Sequence, residues 1–215
     1  MNILKPFAVA LGLLFVFNAS ADDALKSISP ASRVELFNGK DFAGWTFFMR
    51  SNSDPALTWK VEDGLIKCTG RPTGYARTIA NYRDYRCTVE WRFTKAGNTG
   101  VTVHMQEPDA VWPATIECQG QHDHQGDFWM QGGATCKDHT TRDARRVQMT
   151  EPSNEKPVGE WNTFAVECSG STVKIFVNDK LMNQVTDCSV TSGHIGLQSE
   201  GAGLEIRRVY LEPLK

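Results

Sequence analysis

The sequence predicts an all-β fold built from many short strands. Apolar and polar residues alternate with a period of two in several segments, most clearly in 85–93, where every odd position is apolar or aromatic. Such alternation is typical of a strand with one buried face. Helical periodicity is almost absent after residue 21. Turn sequences such as Glu62-Asp63-Gly64 and Asn178-Asp179 separate the alternating runs, as in a sandwich or barrel.

The rest of the chain follows the same pattern. Alternate apolar residues predict further strands in the segments 101–105, 116–118, 164–168, 173–177 and 195–197. The last strand, 204–211, changes phase at Arg207-Arg208, which predicts a β-bulge. Hairpin-like turns are predicted at 96–100 and 168–171. Long polar loops are predicted at 120–143 and 149–160.

Residues 1–21 have the three parts of a cleavable secretory signal. Lys5 precedes an apolar run from Phe7 to Phe17, and small residues end the segment at Ala21. The run is shorter than the ~20 residues that span a bilayer. We therefore expect a periplasmic or secreted protein without a membrane span, the alternative being a buried N-terminal helix. No cysteine lies near Ala21, so we expect no lipid anchor there.

The remaining chain is predicted to be one domain. We expect a flexible segment at 22–33 and a single β-sandwich domain at 34–215. The formal charge of the whole chain is −2, and removal of residues 1–21 takes away one lysine and no acid. A nearly neutral chain argues against a nucleic-acid partner, because phosphate binding requires a basic surface. The oligomeric state is left open.

All six cysteines follow the predicted signal. They are Cys68, Cys87, Cys118, Cys136, Cys168 and Cys188. An even number of cysteines in an exported chain predicts disulfides, and six cysteines allow fifteen pairings. We favour pairing in sequence order, because neighbours in sequence are often neighbours in a β-meander. Buried free thiols are the alternative.

Several segments, taken in order, resemble the 3-keto-disaccharide hydrolase domain family. The matching motifs are Leu36-Phe37-Asn38-Gly39-Lys40-Asp41 with Gly44-Trp45, Trp59-Lys60-Val61-Glu62-Asp63-Gly64, Gly97-Asn98-Thr99-Gly100, Trp112-Pro113, Ile116-Glu117-Cys118-Gln119 and Gly126-Asp127-Phe128-Trp129. The resemblance covers nearly all of 34–213. It implies a concanavalin A-like jelly-roll β-sandwich of two antiparallel sheets, one of them concave and able to hold a sugar.

The resemblance also implies a chemistry. In a glycoside oxidised to a ketone at C3, the C2–H is acidic, and a base can remove this proton to give an enolate. The enolate expels the C1 substituent, and water then adds at C1. Such a site needs a general base, a stabiliser of the enolate oxygen and an acid for the leaving group. A bound divalent cation is one way to stabilise the enolate.

Glu117 is the leading candidate for the catalytic base, because it lies on the polar phase of a predicted strand within the family motif. His104, on the polar phase of the preceding strand, is the second catalytic candidate. An ordinary solvated sheet face is the alternative for both. The candidate substrate-binding residues, chosen for hydrogen bonding or for stacking on a sugar ring, are Gln106, Trp112, Gln119, Asp127, Trp129, Gln198 and Glu200.

His122 and His124 are candidate metal ligands. Histidines two residues apart on an extended segment point the same way, so the pair could share a divalent cation. This His-Asp-His sequence is not part of the family motif, and a solvated loop is the alternative. No other cofactor is predicted.

Two other classes of function stay open at this stage. A non-catalytic carbohydrate-binding module has the same fold, and a structural envelope protein would need no site at all. A fold hosts many functions, so the residues of the site have to separate these alternatives.

Overall fold

The computed structural model describes residues 26–138 and 145–214. The predicted secretory signal lies outside these ranges. Within them the chain forms fifteen β-strands and two short 3-10 turns, at Arg50–Asn52 and Pro55–Leu57. None of the helices in the described ranges has the length and apolar character needed to cross a membrane. In the segment predicted to be flexible, the backbone of Ile28 is hydrogen-bonded to Asn81 and Arg83.

The strands, numbered along the chain, form two antiparallel sheets. The eight-stranded sheet contains β1 (Val34–Glu35), β3 (Trp59–Glu62), β4 (Leu65–Cys68), β6 (Tyr85–Phe93), β11 (Asn162–Ser169), β12 (Thr172–Val177), β13 (Lys180–Val185) and β15 (Leu204–Pro213). Its order is β13-β12-β11-β6-β15-β4-β3, and β1 also pairs with β15.

The seven-stranded sheet carries most of the predicted site residues. It contains β2 (Trp45–Met49), β5 (Gly74–Thr78), β7 (Gly100–Met105), β8 (Thr115–Gln119), β9 (Phe128–Gln131), β10 (Arg146–Val147) and β14 (His194–Ser199). Its order is β10-β9-β8-β7-β14-β5-β2. The predicted all-β fold of two antiparallel sheets is confirmed.

One apolar core lies between the sheets. Val89 and Trp91 of β6 and Ile116 of β8 are completely buried in it. The Trp91 ring packs on Phe164 of β11 with 4.7 Å between ring centroids. The period-two pattern of 85–93 is therefore confirmed, and burial of these apolar side chains is the main force that holds the sheets together.

Three predicted local features are confirmed. Asp63 and Gly64 both have positive φ, 55° and 75°, in the tight turn between β3 and β4. Asn178 and Asp179 form the same kind of turn between β12 and β13. In β15 the pairing register with β6 shifts between Ile206 and Arg208, which is the predicted bulge.

Two predicted connections are wrong. Residues 96–100 do not close a hairpin, because β6 and β7 belong to different sheets and this segment passes between them. The stretch 120–143, predicted as a loop, contains β9. This strand has only four residues in a polar stretch, so its alternation is too short to stand out.

The predicted disulfide framework is not shown: the structure contains no disulfide, and all six cysteines are buried. Sequential pairing is wrong for Cys68 and Cys87 on geometric grounds. Cys68 faces Leu204 on β15, whereas Cys87 faces Leu211. Seven residues along a strand separate the two thiols by about 23 Å, far beyond the span of a disulfide.

We expect Ile116→Ala to lower the free energy of unfolding by about 3 kcal/mol, because it leaves a cavity in the core beneath β8. Urea denaturation would measure the loss. Ile79→Ala is the matched control, because Ile79 is 62% exposed and its truncation should change stability by less than about 0.5 kcal/mol. Equal losses at the two positions would contradict this description of the core.

Candidate active site

Glu117 lies on the face of the seven-stranded sheet that is turned away from the core. Its neighbours Ile116 and Cys118 point into the core, so Glu117 points outward. The register places Glu117 between Thr102 of β7 and Trp129 of β9. Sheet pairing thus brings an acid and an aromatic ring from separate parts of the sequence onto adjacent positions.

Two glycines shape this outer face. A Cβ atom at Gly100 would lie 2.4 Å from Oε1 of Gln198, and a Cβ atom at Gly196 would lie 2.3 Å from Oγ1 of Thr102. Both distances are too short for a side chain at these positions. The missing side chains let Gln198 extend across β7 toward Glu117.

A cavity of about 250 Å³ opens above Glu117. We call it the Glu117 cavity. Five predicted site residues line it: Glu117, Gln119, Trp112, Trp129 and Glu200. Four residues that were not predicted also line it: Asn98, Gln121, Gln131 and Arg145. The other predicted residue on this face, Gln198, lines the narrower cleft that continues from it past Trp112.

The carboxyl group of Glu117 is almost completely buried, with 3% of the residue exposed. Gln131 Nε2 donates a hydrogen bond of 2.8 Å to its Oε2, and Arg145 Nη1 donates one of 3.0 Å to Oε1 of Gln131. Burial raises the pKa of Glu117 to about 7, and the negative charge of Glu200 acts in the same direction. The group therefore exchanges a proton near neutral pH, as a general base requires.

Glu200 supplies a second carboxyl group to the cavity. It accepts a hydrogen bond from Asn98 Nδ2, and burial raises its pKa. The cavity therefore contains two carboxyl groups with raised pKa values, and each can accept or donate a proton at a different position.

Aromatic side chains flank these acids. Trp129 stands beside Glu117, and its buried Nε1 has no hydrogen-bond partner among the described residues. Trp112 is 43% exposed at the rim. The predicted pair of tryptophans beside Glu117 is present, although Trp129 belongs to a strand. Flat apolar rings next to hydrogen-bonding groups suit the mixed surface of a sugar.

A buried arginine holds the loop that carries Trp112. Arg77 of β5 binds Asp109 through two bonds, Nε to Oδ1 at 2.7 Å and Nη2 to Oδ2 at 2.9 Å. The Tyr75 hydroxyl donates to the same Asp109 Oδ1 at 2.9 Å, and Arg77 also contacts Glu107 at 3.1 Å. Two side chains of β5, Tyr75 and Arg77, thus fix the 106–114 loop beside the cavity.

His104 does not face the cavity, contrary to the prediction. Along β7, Val103 and His104 together oppose the single residue Ile195 of β14, and His104 has a positive φ of 55°. This bulge inverts the phase of the strand. His104 turns into the core, where its ring packs edge-on against Tyr85, while Met105 turns toward the outer face. Burial lowers the pKa of His104 to about 4, so the buried imidazole stays neutral at pH 7.

Gln106 is also outside the cavity. Its Nε2 donates to the backbone carbonyls of His104, at 2.8 Å, and of Ser192, at 2.6 Å. The side chain therefore closes the bulged end of β7 and does not line the Glu117 cavity.

Asp127 has a structural role in place of the predicted contact with substrate. Its Oδ2 accepts a hydrogen bond of 2.7 Å from Arg146 Nε, and its Oδ1 accepts one of 2.7 Å from the Met149 amide. Arg146 pairs through this bond with a buried acid, whereas its neighbour Arg145 reaches the cavity.

His122 and His124 are not brought together. His122 Nδ1 lies 3.0 Å from Glu155 Oε2, whereas His124 Nδ1 lies 3.2 Å from the Arg146 guanidinium. A positive charge beside His124 disfavours a cation there. The ligand atoms of His122, Asp123 and Glu155 lie within 4.8 Å of one another, so the described residues that could hold an ion differ from the predicted pair.

Sequence reasoning missed Gln131 and Arg145. Gln131 follows Trp129 by two residues, so recognition of β9 would have placed it on the same face. Arg145 lies outside the strands and has no periodic signal. Asn98 and Gln121 do have a sequence signal, because Asn98 belongs to the Gly97-Asn98-Thr99-Gly100 motif and Gln121 follows Gln119 by two residues.

We compare the free energy of unfolding of Glu117→Gln with that of the wild type. We expect this difference to shift in favour of the variant by on the order of 3 kcal/mol between pH 4 and pH 8. A raised pKa means that the native state holds more protons than the unfolded state between pH 4.5 and about 7. In the wild type, the loss of stability caused by the buried charge is therefore absent below pH 4.5 and complete above about pH 7. Urea denaturation at several pH values would measure it.

Glu160→Gln is the control for this experiment, because Glu160 is an exposed glutamate outside the cavity. Its effect on stability should be small and nearly constant with pH. A flat difference for Glu117→Gln as well would contradict a buried charge at this position.

We expect Asp109→Asn to release the 106–114 loop and to lower stability by about 2 kcal/mol, because the buried Arg77 then loses a carboxylate partner. Hydrogen exchange of the loop amides should become faster, with little change in the strands. Asp179→Asn, in an exposed turn, is the matched control and should leave exchange in the loop unchanged. Unaltered exchange in Asp109→Asn would contradict the clamp.

Known structures share this fold. A protein from Parabacteroides distasonis assigned as a glycosyl hydrolase is 21% identical and superposes with a TM-score of 0.63, over 86% of this chain and 94% of that one. A β-glucanase from Bacillus licheniformis is 12% identical with a TM-score of 0.60, over 84% of this chain and 97% of that one. The predicted jelly-roll sandwich is thereby confirmed.

The amino-acid sequence is also similar to that of a protein named for its action on a sugar. A 3-keto-disaccharide hydrolase from Bacteroides thetaiotaomicron is 25% identical over 184 residues, which cover 75% of this chain and 61% of the relative. The sequence model of the 3-keto-alpha-glucoside-1,2-lyase-like domain matches residues 32–212. Because this match spans most of the chain, the protein belongs to the family of 3-keto-alpha-glucoside-1,2-lyase-like domains.

Proposed function

We propose that this protein cleaves 3-keto-glycosides, with Glu117 as the base that removes the C2 proton. The observation that carries the proposal is the buried Glu117 carboxyl group, whose pKa is raised to about 7 at the floor of a cavity lined by polar and aromatic side chains. Membership of the family and the 3-keto-disaccharide hydrolase among its relatives support the substrate class.

The environment of Glu117 suits proton abstraction from carbon. A carboxylate that is poorly solvated is a stronger base than one in water, and its protonated product is favoured in a buried site. Gln131 holds the carboxyl group in place through Oε2, and a hydrogen bond from Gln198 also favours its charged form. The ketone at C3 lowers the pKa of that proton, so a base of this strength is sufficient.

The remaining steps fall to the other residues that line the cavity. The enolate oxygen is stabilised by N–H donors that line the cavity. These are the guanidinium group of Arg145 and the side-chain amides of Asn98 and Gln119. Glu200 keeps its proton to a higher pH than an exposed glutamate does, so it is the acid for the leaving oxygen. Water then adds at C1 of the unsaturated sugar to complete the hydrolysis.

The proposed place of action is the periplasm or the cell exterior. The support is the charged, apolar and small-residue pattern of residues 1–21. Fractionation of cells that express the full chain would test it, and retention of the protein in the cytoplasm would contradict it.

A carbohydrate-binding module with the same fold is the rival function. A binding site needs hydrogen-bonding groups and aromatic rings, which this cavity has. Sugar binding alone does not require a buried carboxyl group with a pKa near 7. The presence of Glu117 therefore favours the enzyme.

We expect Glu117→Gln to lower the rate of cleavage of a 3-keto-disaccharide by 10²–10⁴-fold, because the amide cannot accept the C2 proton. Binding of the same sugar, measured by calorimetry, should change little. In the unaltered protein kcat/KM should pass through a maximum as the pH rises, because Glu117 must be ionised and Glu200 must keep its proton. Release of 3-keto-glucose would be followed by chromatography.

Glu160→Gln is again the matched control and should keep full activity. An unaltered protein that binds 3-keto-disaccharides without cleaving them would favour the binding module. A fully active Glu117→Gln variant would remove Glu117 from the mechanism.

A further inference from the structure

Cys136 and Cys188 lie on two chain segments that run side by side in opposite directions. The Lys137 amide donates to the Thr186 carbonyl at 2.9 Å, and the Ser189 amide donates to the Thr135 carbonyl at 2.9 Å. The Thr135 amide also donates to Oγ of Ser189 at 2.9 Å. These bonds bracket Cys136 on one segment, and Asp187 with Cys188 on the other.

The bracketed residues have the geometry of a β-bulge. One residue, Cys136, stands opposite two, Asp187 and Cys188, and Asp187 has a positive φ of 51°. The Cys188 amide points away from Cys136, since it donates to the Ser171 carbonyl at 3.0 Å. This is the orientation of a narrow, non-hydrogen-bonded pair, whose Cα atoms are about 4.5 Å apart. A disulfide requires Cα atoms about 4.4–6.8 Å apart.

Electrostatics agrees with this proximity. Burial raises the pKa of Cys188 to about 12, and after burial the largest contribution comes from the neighbouring Cys136. Only 7% of Cys136 and 5% of Cys188 are exposed. Buried thiols with raised pKa values react slowly. We therefore expect this pair to be oxidised during folding, before its burial is complete.

The other cysteines lack such a partner position. Cys87 faces Val166 on β11, whereas Cys168 faces Tyr85 on β6, so the two are offset by two residues on neighbouring strands. The strands paired with β8, which are β7 and β9, carry no cysteine, so Cys118 has no cysteine neighbour within its own sheet, and Cys68 lies at the far side of β15. Among the described residues, only the pair at 136 and 188 is bracketed by backbone hydrogen bonds from both sides.

We propose that Cys136 and Cys188 form a disulfide when the protein folds in the presence of a disulfide oxidant such as glutathione disulfide. The thiolate of one cysteine attacks the oxidant and gives a mixed disulfide, with release of one glutathione. The thiolate of the second cysteine then displaces the other glutathione. The two protein thiols lose two electrons and two protons, and glutathione disulfide is reduced to two molecules of glutathione.

The position gives this bond a structural consequence. Cys136 follows β9 of the seven-stranded sheet, and Cys188 follows β13 at the edge of the eight-stranded sheet. The disulfide would therefore join the two sheets covalently along one edge. It closes a loop of about 50 residues, which restricts the unfolded chain more than a short loop would.

The test is to unfold the full chain in denaturant and reductant and to refold it in a glutathione redox buffer. Remaining thiols are then alkylated in denaturant, and the digested protein is analysed by mass spectrometry. We expect one cross-linked peptide pair, which joins Cys136 to Cys188, and four alkylated cysteines. Six alkylated cysteines, or a cross-link between any other two cysteines, would overturn the proposal.

Thermal unfolding provides a second readout. A reductant should lower the Tm of the refolded wild-type protein by on the order of 10 °C. The same reductant should leave the Tm of Cys136→Ser and Cys188→Ser unchanged, whereas Cys68→Ser, the matched control, should respond as the wild type does. A wild-type Tm that is insensitive to reductant would also overturn the proposal.

Discussion

Glu117 is a carboxyl group placed where almost no water reaches it, and much of the seven-stranded sheet can be understood from that constraint. A buried carboxylate is costly unless neighbouring groups compensate for its lost hydration. Gln131 supplies one hydrogen bond, Arg145 orients Gln131, and Gln198 extends over Gly100 from the other side. The compensation is incomplete, which leaves the pKa near 7 in place of the usual value near 4.5. The same incomplete compensation lowers the stability of the folded protein and lets the group exchange a proton near neutral pH.

The cavity wall is built on the same principle of paired charges. Arg77 is buried on the sheet face, so it needs carboxylate partners, and Asp109 and Glu107 come from the loop after β7. The ion pairs that Arg77 forms with these two residues fix the loop, and the loop in turn fixes Trp112 at the rim of the cavity. A group far from Glu117 in sequence thus controls the shape of its surroundings.

The bulge at His104 divides β7 into two parts. Before it, Val101 and Val103 face the core and Thr102 faces outward; after it, the order is reversed. An imidazole is consequently sealed beside Tyr85 in the core, and a thioether replaces it near the cavity. A period-two pattern assumes an unbroken strand, so this inversion could not be read from alternate residues alone.

The sequence by itself determined the strands with long alternating patterns, the tight turns, the bulge in β15 and the outward position of Glu117, because each follows from local periodicity and turn chemistry. It also pointed to the family through ordered motifs. Only the tertiary structure decided that Gln131 hydrogen-bonds to Glu117 and that Arg145 hydrogen-bonds to Gln131. The same holds for the contacts of Arg146 with Asp127 and His124. It also holds for the position of Cys136 opposite Cys188. Those contacts join residues from different strands and loops, and a register between strands is fixed by the packing of both sheets, not by the spacing within one.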